Sequence, residues 1–578
     1  MNLLKARHVA LLVGLLTGSM VAEGKDIYVA ASGGSDENSG STPSAPLASI
    51  AAASSRAAAG DNVYLMSGQY HEAIVPVNSG TAAKPITYKS YGRGAAVISN
   101  VKIGILVSSQ SYITFDGINV NGGNLPPKAT VMSFAGIQNS NHITIRHGEF
   151  RNANGWAGID ISGRYLPDGR YWGVNPNAAL EGVSAYITIE DNVLDNVGVY
   201  ANPMTGDVIQ VAIGVNQHIL IQRNTITHGG HDLVELDSDY GVLQDNVLNN
   251  YYGDQVGGDT GYRSLEVQGS FNVIQRNFMA HSRVGDGIIA AIASIRGSQN
   301  LARQNILFDG ISSGFGTWCA SGRSPAATDG RIYNNTIYQT GGEGWYMWAY
   351  DGCTGIGGYV FANNLLVNSR TSLASTGVPR DGTLKDAELV LIPLAGDSSA
   401  TGQSIVKGNL FAPAPGGPAY VITSRDGRIP LRTAASKYPQ SFIANTEARP
   451  TLISAKPSVA ADFQLSPGSP GRGAGVFLTN VVGSGTSNHL AVRDSLYFSD
   501  GNGVVPGDMI QLQGTAGPVQ ILSIERNSNT LTLSSPVTFK DGQGVALPYT
   551  GAVPDVGAGL VNPAAVRPMP PANVSIGH

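Results

Sequence analysis

Between residues 230 and 300 the chain gathers a dense set of side chains able to move protons or hold charge: His231, Asp232, Glu235, Asp237, Tyr262, Arg263, Glu266, Gln268 and Arg296. Glu235 and Asp237 flank the apolar Leu236, Glu266 and Gln268 flank Val267, and Arg296 follows Ile295. Alternation with period two puts the polar members on one face of a strand and the apolar members on the other. If neighbouring strands keep register, Glu235 and Glu266 stack about one strand spacing apart, about 5 Å. Stacked carboxylates repel unless they share a cation or one keeps its proton. The sequence therefore offers Glu235, Asp237 and Glu266 as oxygen ligands for a hard cation such as Ca²⁺. A carboxyl pair at about 5 Å, or the Asp237 to Glu266 diagonal at about 8 Å, equally suits a retaining or an inverting hydrolase. The plain alternative is a solvated acidic face with splayed side chains.

His231 and Tyr262 form a second aligned pair, able to act as base and acid, with Asp232 and Arg263 beside them as a cross-strand ion pair. Candidate catalytic residues are thus Arg296, His231, Tyr262 and Arg263. Gln268, Tyr252 and Trp156 are candidate substrate contacts, since flat rings suit sugar faces, and "WYMWAY" (Trp345 to Tyr350) adds more aromatics. Loop packing is the alternative role for each ring.

The elements that must position these residues come from a repeat. Segments such as "ITIEDNVLDN", "ILIQRNTITH" and "NVIQRNFMAH" place an Asn at 192, 224, 246, 277, 305, 335 and 364, separated by 32, 22, 31, 28, 30 and 29 residues. Gly117 and Gly148 are read as holding the same place in two earlier copies. Such a period, with β-branched alternating strands and Asn at corners, specifies a β-solenoid whose coils bury a common core only when stacked. The Asn side chains are predicted to form a ladder at one turn, with a structural role. Counting back eleven residues from Asn246, Asn277 and Asn305 gives Glu235, Glu266 and Ser294, and counting back nine gives Asp237, Gln268 and Arg296. The predicted fold is all-β, a right-handed parallel β-helix over 25–475. An N-terminal capping helix lies within Pro46 to Asp61, and a small C-terminal β-module spans 476–562 before a Pro-rich tail, 563–578.

Residues 1–24 carry Lys5 and Arg7, an apolar run from Val9 to Val21, and small residues at Ala22 and Gly24, the pattern of a secretory signal peptide. The expectation is a secreted or periplasmic, monomeric protein. A net charge of −5 excludes a nucleic-acid footprint, and no other long apolar stretch suggests a membrane span. Cys319 and Cys353, in an exported chain, form either one disulfide or two buried thiols.

The stretches "DIYVAASGGSDENSGSTPSAPLASI", "GDNVYLMSGQYHE", "SPGSPGRGAG" and "PDVGAG" resemble the N- and C-terminal signatures of bacterial right-handed β-helix proteins of the pectate-lyase-like superfamily. The resemblance implies an acidic polysaccharide as partner and, foremost, a polysaccharide lyase acting by β-elimination. In the β-helical lyases of alginate or dermatan, a strand glutamate helps bind Ca²⁺, a following Lys is the base and an Arg the acid. This sequence departs from that pattern: Asp237 stands where the Lys is expected, and no Lys occurs between Lys128 and Lys385. The proton acceptor then falls to Arg296, His231 or Tyr262. The other readings are a glycoside hydrolase, although the paired-Asp and Gly-His-Gly signatures of polygalacturonases are missing, and a non-catalytic polysaccharide-binding protein or uronan epimerase.

Overall fold

The computed structural model describes residues 24–559, apart from 93, 126–127, 156, 162–183, 199–205, 212–215, 251–262, 283–290, 311–312, 321–325, 351–352, 354, 370–387, 393–402 and 414–416. Trp156, Tyr252 and Tyr262 fall outside the described residues, as do residues 1–23 of the signal-like segment and the Pro-rich tail.

Three long sheets of 14, 13 and 12 strands run the length of the chain. Within each, a strand pairs in parallel with its counterpart from the next coil, as Asn141–Arg146 does with Ser111–Asp116 before it and Ala185–Glu190 after it. The chain is a right-handed parallel β-helix. Alternating residues explain it: Ile113 and Phe115, Ile143 and Ile145, Ile187 and Ile189 stack inward, all essentially without solvent contact. One continuous core from Ile27 to Phe442 results.

The Asn residues fix the register. Asn277 Nδ2 donates to Leu243 O at 2.9 Å and to Asn305 Oδ1 at 3.0 Å, while its Oδ1 accepts from the Asn246 backbone N–H at 3.1 Å. The same pattern links every rung from Asn192 to Asn364 and continues through Asn409 and Asn445. Each rung follows a residue in left-handed conformation, such as Asp245 (φ 58°) or Arg276 (φ 55°). Gly148 belongs to the ladder, its N–H bonded to Asn192 Oδ1. Gly117 does not. With Phe150 opposite Val120, Gly117 aligns with the left-handed His147, one residue before the rung.

Helix α1 (Ile50–Arg56), capped by Ser49, lays Ile50 and Ala53 on the first coil and covers the open end of the core. At the other end a six-stranded antiparallel sheet between Thr479 and Ala546 docks on the side of the helix. Tyr333 OH donates to Tyr497 O at 2.6 Å, Arg331 pairs with Asp494 at 2.9 Å, and Arg303 pairs with Asp508. Among the described residues no helix is long and apolar enough to cross a membrane. Cys319 and Cys353 are joined as a disulfide.

The sheet that carries the ionisable residues includes six consecutive strands: β1 (Asp207–Val211), β2 (Asp232–Leu236), β3 (Arg263–Val267), β4 (Ala291–Ile295), β5 (Ser313–Ala320) and β6 (Trp345–Tyr350).

Candidate active site

The register counted from the Asn repeat holds in space. Gln210, Glu235, Glu266, Ser294 and Gly316 are successive partners across β1 to β5. Leu236, Val267 and Ile295 are buried in the core behind them. The second column, Asp237, Gln268 and Arg296, follows two residues later on the same side.

The two glutamates that share a column have different surroundings. Glu266 lies between two guanidinium groups: Arg263 Nη2 is 2.5 Å from Oε2, and Arg296 Nη2 holds Oε1. Arg263 also grips Asp232 with two bonds, Nε to Oδ1 at 2.9 Å and Nη2 to Oδ2 at 3.0 Å. This is the cross-coil ion pair expected from the sequence, and it commits Nε and Nη2 of Arg263 to protein partners. Glu235, by contrast, accepts from two amides, Gln210 Nε2 at 2.6 Å on Oε2 and Gln268 Nε2 at 3.1 Å on Oε1. The same Gln268 nitrogen reaches Asp237 Oδ2 at 2.9 Å, so one amide bridges both carboxyl groups.

The face is not solvated. Asp237 and Glu266 are each 3% exposed and Arg296 5%, whereas Glu235 is half-buried and keeps an opening to solvent. Cross-coil pairing folds the side chains down onto the sheet, which replaces the splayed arrangement a bare acidic strand would adopt. Asp160, Asp207, Asp232, Asp237 and Glu266 are buried together with His231, Arg263 and Arg296. Among the described residues, with Glu235, six acidic groups meet three basic ones, an excess that favours protonation of the carboxyl groups.

Proton affinities follow. Burial, then the charges of Asp207 and Glu266, push Glu235 up to about 8, against the Gln210 hydrogen bond. Burial and the neighbouring Glu235 and Glu266 raise Asp237 well above the usual carboxylate range, and a hydrogen bond with Glu235 adds to this. For His231, burial disfavours the imidazolium, but Asp232 and Asp207 outweigh it and raise the pKa to about 10. His231 Nδ1 bonds Asp207 Oδ1 at 2.9 Å. His231 Nε2 faces Arg263 Nη2 at 3.2 Å, so both ring nitrogens are engaged within the ion network and neither is directed at a substrate, as the base expected from the sequence context would require. Arg296, paired with Glu266 and lying 4.0 Å from the ring centre of Trp318, is equally unsuited to that role. The acid and base capacity passes to Glu235 and Asp237.

Of the three expected cation ligands, Glu235 and Asp237 suit a hard cation, and Asp237 Oδ1 is buried without a hydrogen-bond partner. Glu266 does not fit, because guanidinium groups occupy both its oxygens. Among the described residues the set whose ligand atoms all lie within 4.8 Å is Asp207, His231 and Asp232, but the Arg263 fork on Asp232 makes that set an ion network. Sequence reasoning missed Asp207, Gln210, Ser294's bond to Trp318, and Trp318 itself. Gln210 lies 14 residues before Asn224 rather than eleven, so counting back from the rung passes over it.

No family model matches the chain. Over 161 residues it is 31% identical to the uncharacterized protein YwoF of Bacillus subtilis (strain 168), a match that spans 24% of this chain and 34% of that protein. Among solved structures it is similar to pectate lyase Pel9A (TM-score 0.43, 16% identity, 81% of this chain and 95% of that one). It is also similar to the PL6 family alginate lyase AlyGC (TM-score 0.40, 13% identity, 74% and 54%). A third is the GH136 lacto-N-biosidase from Eubacterium ramulus (TM-score 0.38, 12% identity, 73% and 68%).

Proposed function

We propose that the protein is an exported polysaccharide lyase that cleaves an acidic, uronate-containing polysaccharide by β-elimination, with Glu235 and Asp237 at the reacting bond. The observation that carries this reading is the carboxyl pair bridged by Gln268, in which burial and mutual repulsion raise both proton affinities, Glu235 up to about 8, and in which Glu235 is half-buried rather than closed off from solvent. Elimination needs a base for the proton at C5, relief of the substrate carboxylate's charge, and a proton for the departing O4. A carboxylate whose pKa lies near the working pH is suited to exchange protons. Glu235 takes the C5 proton, the C–H electrons form the C4=C5 double bond, and the C4–O4 bond breaks, with the departing O4 taking a proton from water. Asp237, held neutral, donates a hydrogen bond to the substrate carboxylate. Calcium bound at Glu235 and Asp237 would instead supply positive charge for that carboxylate, and protons and calcium compete for the pair.

The signal-like segment 1–24 supports export, and the chain is proposed to act as a monomer without nucleic-acid or membrane partners. The test is incubation with alginate, polygalacturonate and hyaluronan, following the ultraviolet absorbance of the conjugated unsaturated uronate that only elimination creates. New reducing ends without that absorbance would overturn the elimination and assign hydrolysis to the same pair, with protonated Glu235 as the acid.

A further inference from the structure

The C-terminal module meets the coils around a cavity. It covers the outer face of the 14-stranded sheet, where Val273 and Leu301 pack against Val504 and Val505, and Asn502 pins it at one corner. Asn502 Nδ2 donates to Phe271 O at 2.8 Å, and its backbone carbonyl accepts from His218 Nδ1 at 2.7 Å. Beside this pin the two parts enclose a cavity of about 460 Å³, within the roughly 300–1,000 Å³ typical of small-molecule sites. It lies on a different sheet from the carboxyl pair.

From the coils come His218, Tyr240, Phe271 and Gln299, which hold the same corner of four successive turns, each in the left-handed conformation (φ 56°, 57°, 61° and 57°). His218 stacks on Tyr240 with ring centres 5.6 Å apart, Tyr240 on Phe271 at 4.9 Å, and Tyr186 covers the other face of His218. The faces of His218 and Tyr240 are thus taken up within the stack, and these residues offer the cavity edges and polar atoms. With Nδ1–H used on Asn502, the neutral His218 ring presents Nε2 as an acceptor. Among the described residues the Gln299 amide has no hydrogen-bond partner. From the module come Asp500 and Arg526, with Leu496, Leu522 and Ile524. Arg526 is fixed by bonds to the Ser495 and Phe498 carbonyls, which use two of the five N–H donors of its fork. Asp500 Oδ1 accepts one long bond, from the Asn502 N–H at 3.4 Å.

This lining selects its ligand. The attraction of Arg526 for an anion is offset by Asp500, and that of Asp500 for a cation by Arg526, so neither a phosphate nor a metal ion is favoured. Donors and acceptors stand on both sides with aliphatic walls between them. A molecule whose hydroxyls both donate and accept, and whose C–H faces are apolar, satisfies all of these groups together. The carboxylate and the guanidinium are planar forks suited to adjacent hydroxyls.

We propose that this cavity is a second saccharide site, selective for neutral pyranose units, at the junction of helix and module. Binding there requires no turnover and does not rest on the lyase reading. The experiment uses the full chain carrying Glu235→Gln, titrated by saturation-transfer NMR with the methyl glycosides of glucose, galactose, mannose and xylose and with galacturonate and glucuronate. The expected result is that at least one neutral glycoside binds, about tenfold or more tightly than either uronate. Three second substitutions should each weaken that binding about tenfold, the worth of one good hydrogen bond. Gln299→Asn keeps a residue that tolerates the left-handed corner and draws the amide back by one methylene. Asp500→Asn keeps the acceptor for the Asn502 N–H and removes the charge. Leu522→Glu, at a side chain 57% exposed and therefore harmless to the fold, brings a second charge to the cavity wall. Neutral-sugar binding unchanged in Leu522→Glu or in both other variants, uronates bound as tightly as neutral sugars, or no binding of any neutral glycoside overturns the site. Neutral-sugar binding by a protein that yields no unsaturated product would overturn the lyase reading and leave this site standing.

Discussion

Replacing Glu235 by Gln tests the electrostatic reading of the site without any substrate. The carboxyl group has its pKa raised from 4.5 to about 8, and in Glu235→Gln the amide oxygen can keep one of its two N–H donors while its NH2 is met by a flipped amide of Gln210. A group raised on folding contributes stability that is present below its unfolded pKa and lost as pH rises through its folded pKa. Between pH 4.5 and 8 the unfolded chain releases this proton while the folded chain keeps it, so the folded state loses ground across that window. At about 1.4 kcal/mol per tenfold change, the full span approaches 5 kcal/mol. The half-open position of Glu235 admits water and reduces this to about 2–4 kcal/mol. For a chain of this size, with unfolding entropy scaling with length, that is a shift of about 2–4 °C in Tm. Melting curves of wild type and Glu235→Gln, recorded from pH 4.5 to 9 in the presence of a chelator, should coincide at the acid end and separate toward pH 8, the variant becoming the more stable. Parallel curves over the whole range would refute the claim that Glu235 carries an unfavourable charge when ionised.

Two further perturbations address the cation and the scaffold. If calcium occupies Glu235 and Asp237, its removal by chelation should lower activity and Tm together, and the calcium-dependent rise in Tm should be larger at pH 8 than at pH 5, where protons hold the pair; differential scanning calorimetry with and without calcium checks this. Asn277→Ala removes the acceptor for the Asn246 backbone N–H and the donor to Leu243 O in the middle of the ladder. It should cost about 2–4 kcal/mol through buried unsatisfied groups, read as a lower Tm with the same circular-dichroism spectrum.

The repeating Asn made the register of the glutamate columns legible because the strands carrying Glu235, Glu266 and Ser294 each precede the next rung by the same eleven residues. Its reading failed where the spacing changed. Gly117 is displaced by one position because a left-handed glycine and a left-handed histidine occupy equivalent corners. Asn409 and Asn445 were hidden by gaps of 45 and 36 residues. In the site, the sequence showed which groups share a face but not which would pair. That Glu266 is held by two arginines while Glu235 accepts from amides depends on side-chain direction, which strand periodicity does not encode. Trp318 was passed over as a site residue for the same reason: nothing in "GTWCASG" indicates an indole folded back over Arg296.

The asparagine ladder also separates two kinds of sequence change. Because each rung pins its own coil to the next, the stretch between rungs can lengthen from 22 to 45 residues while the glutamine, glutamate and arginine columns keep their alignment. The scaffold thus behaves as a ruler whose graduations are insensitive to what is hung between them. Segments between two adjacent rungs can be exchanged without re-solving the placement of the carboxyl pair, and grafting a loop from another β-helix between two rungs is the engineering step this arrangement invites.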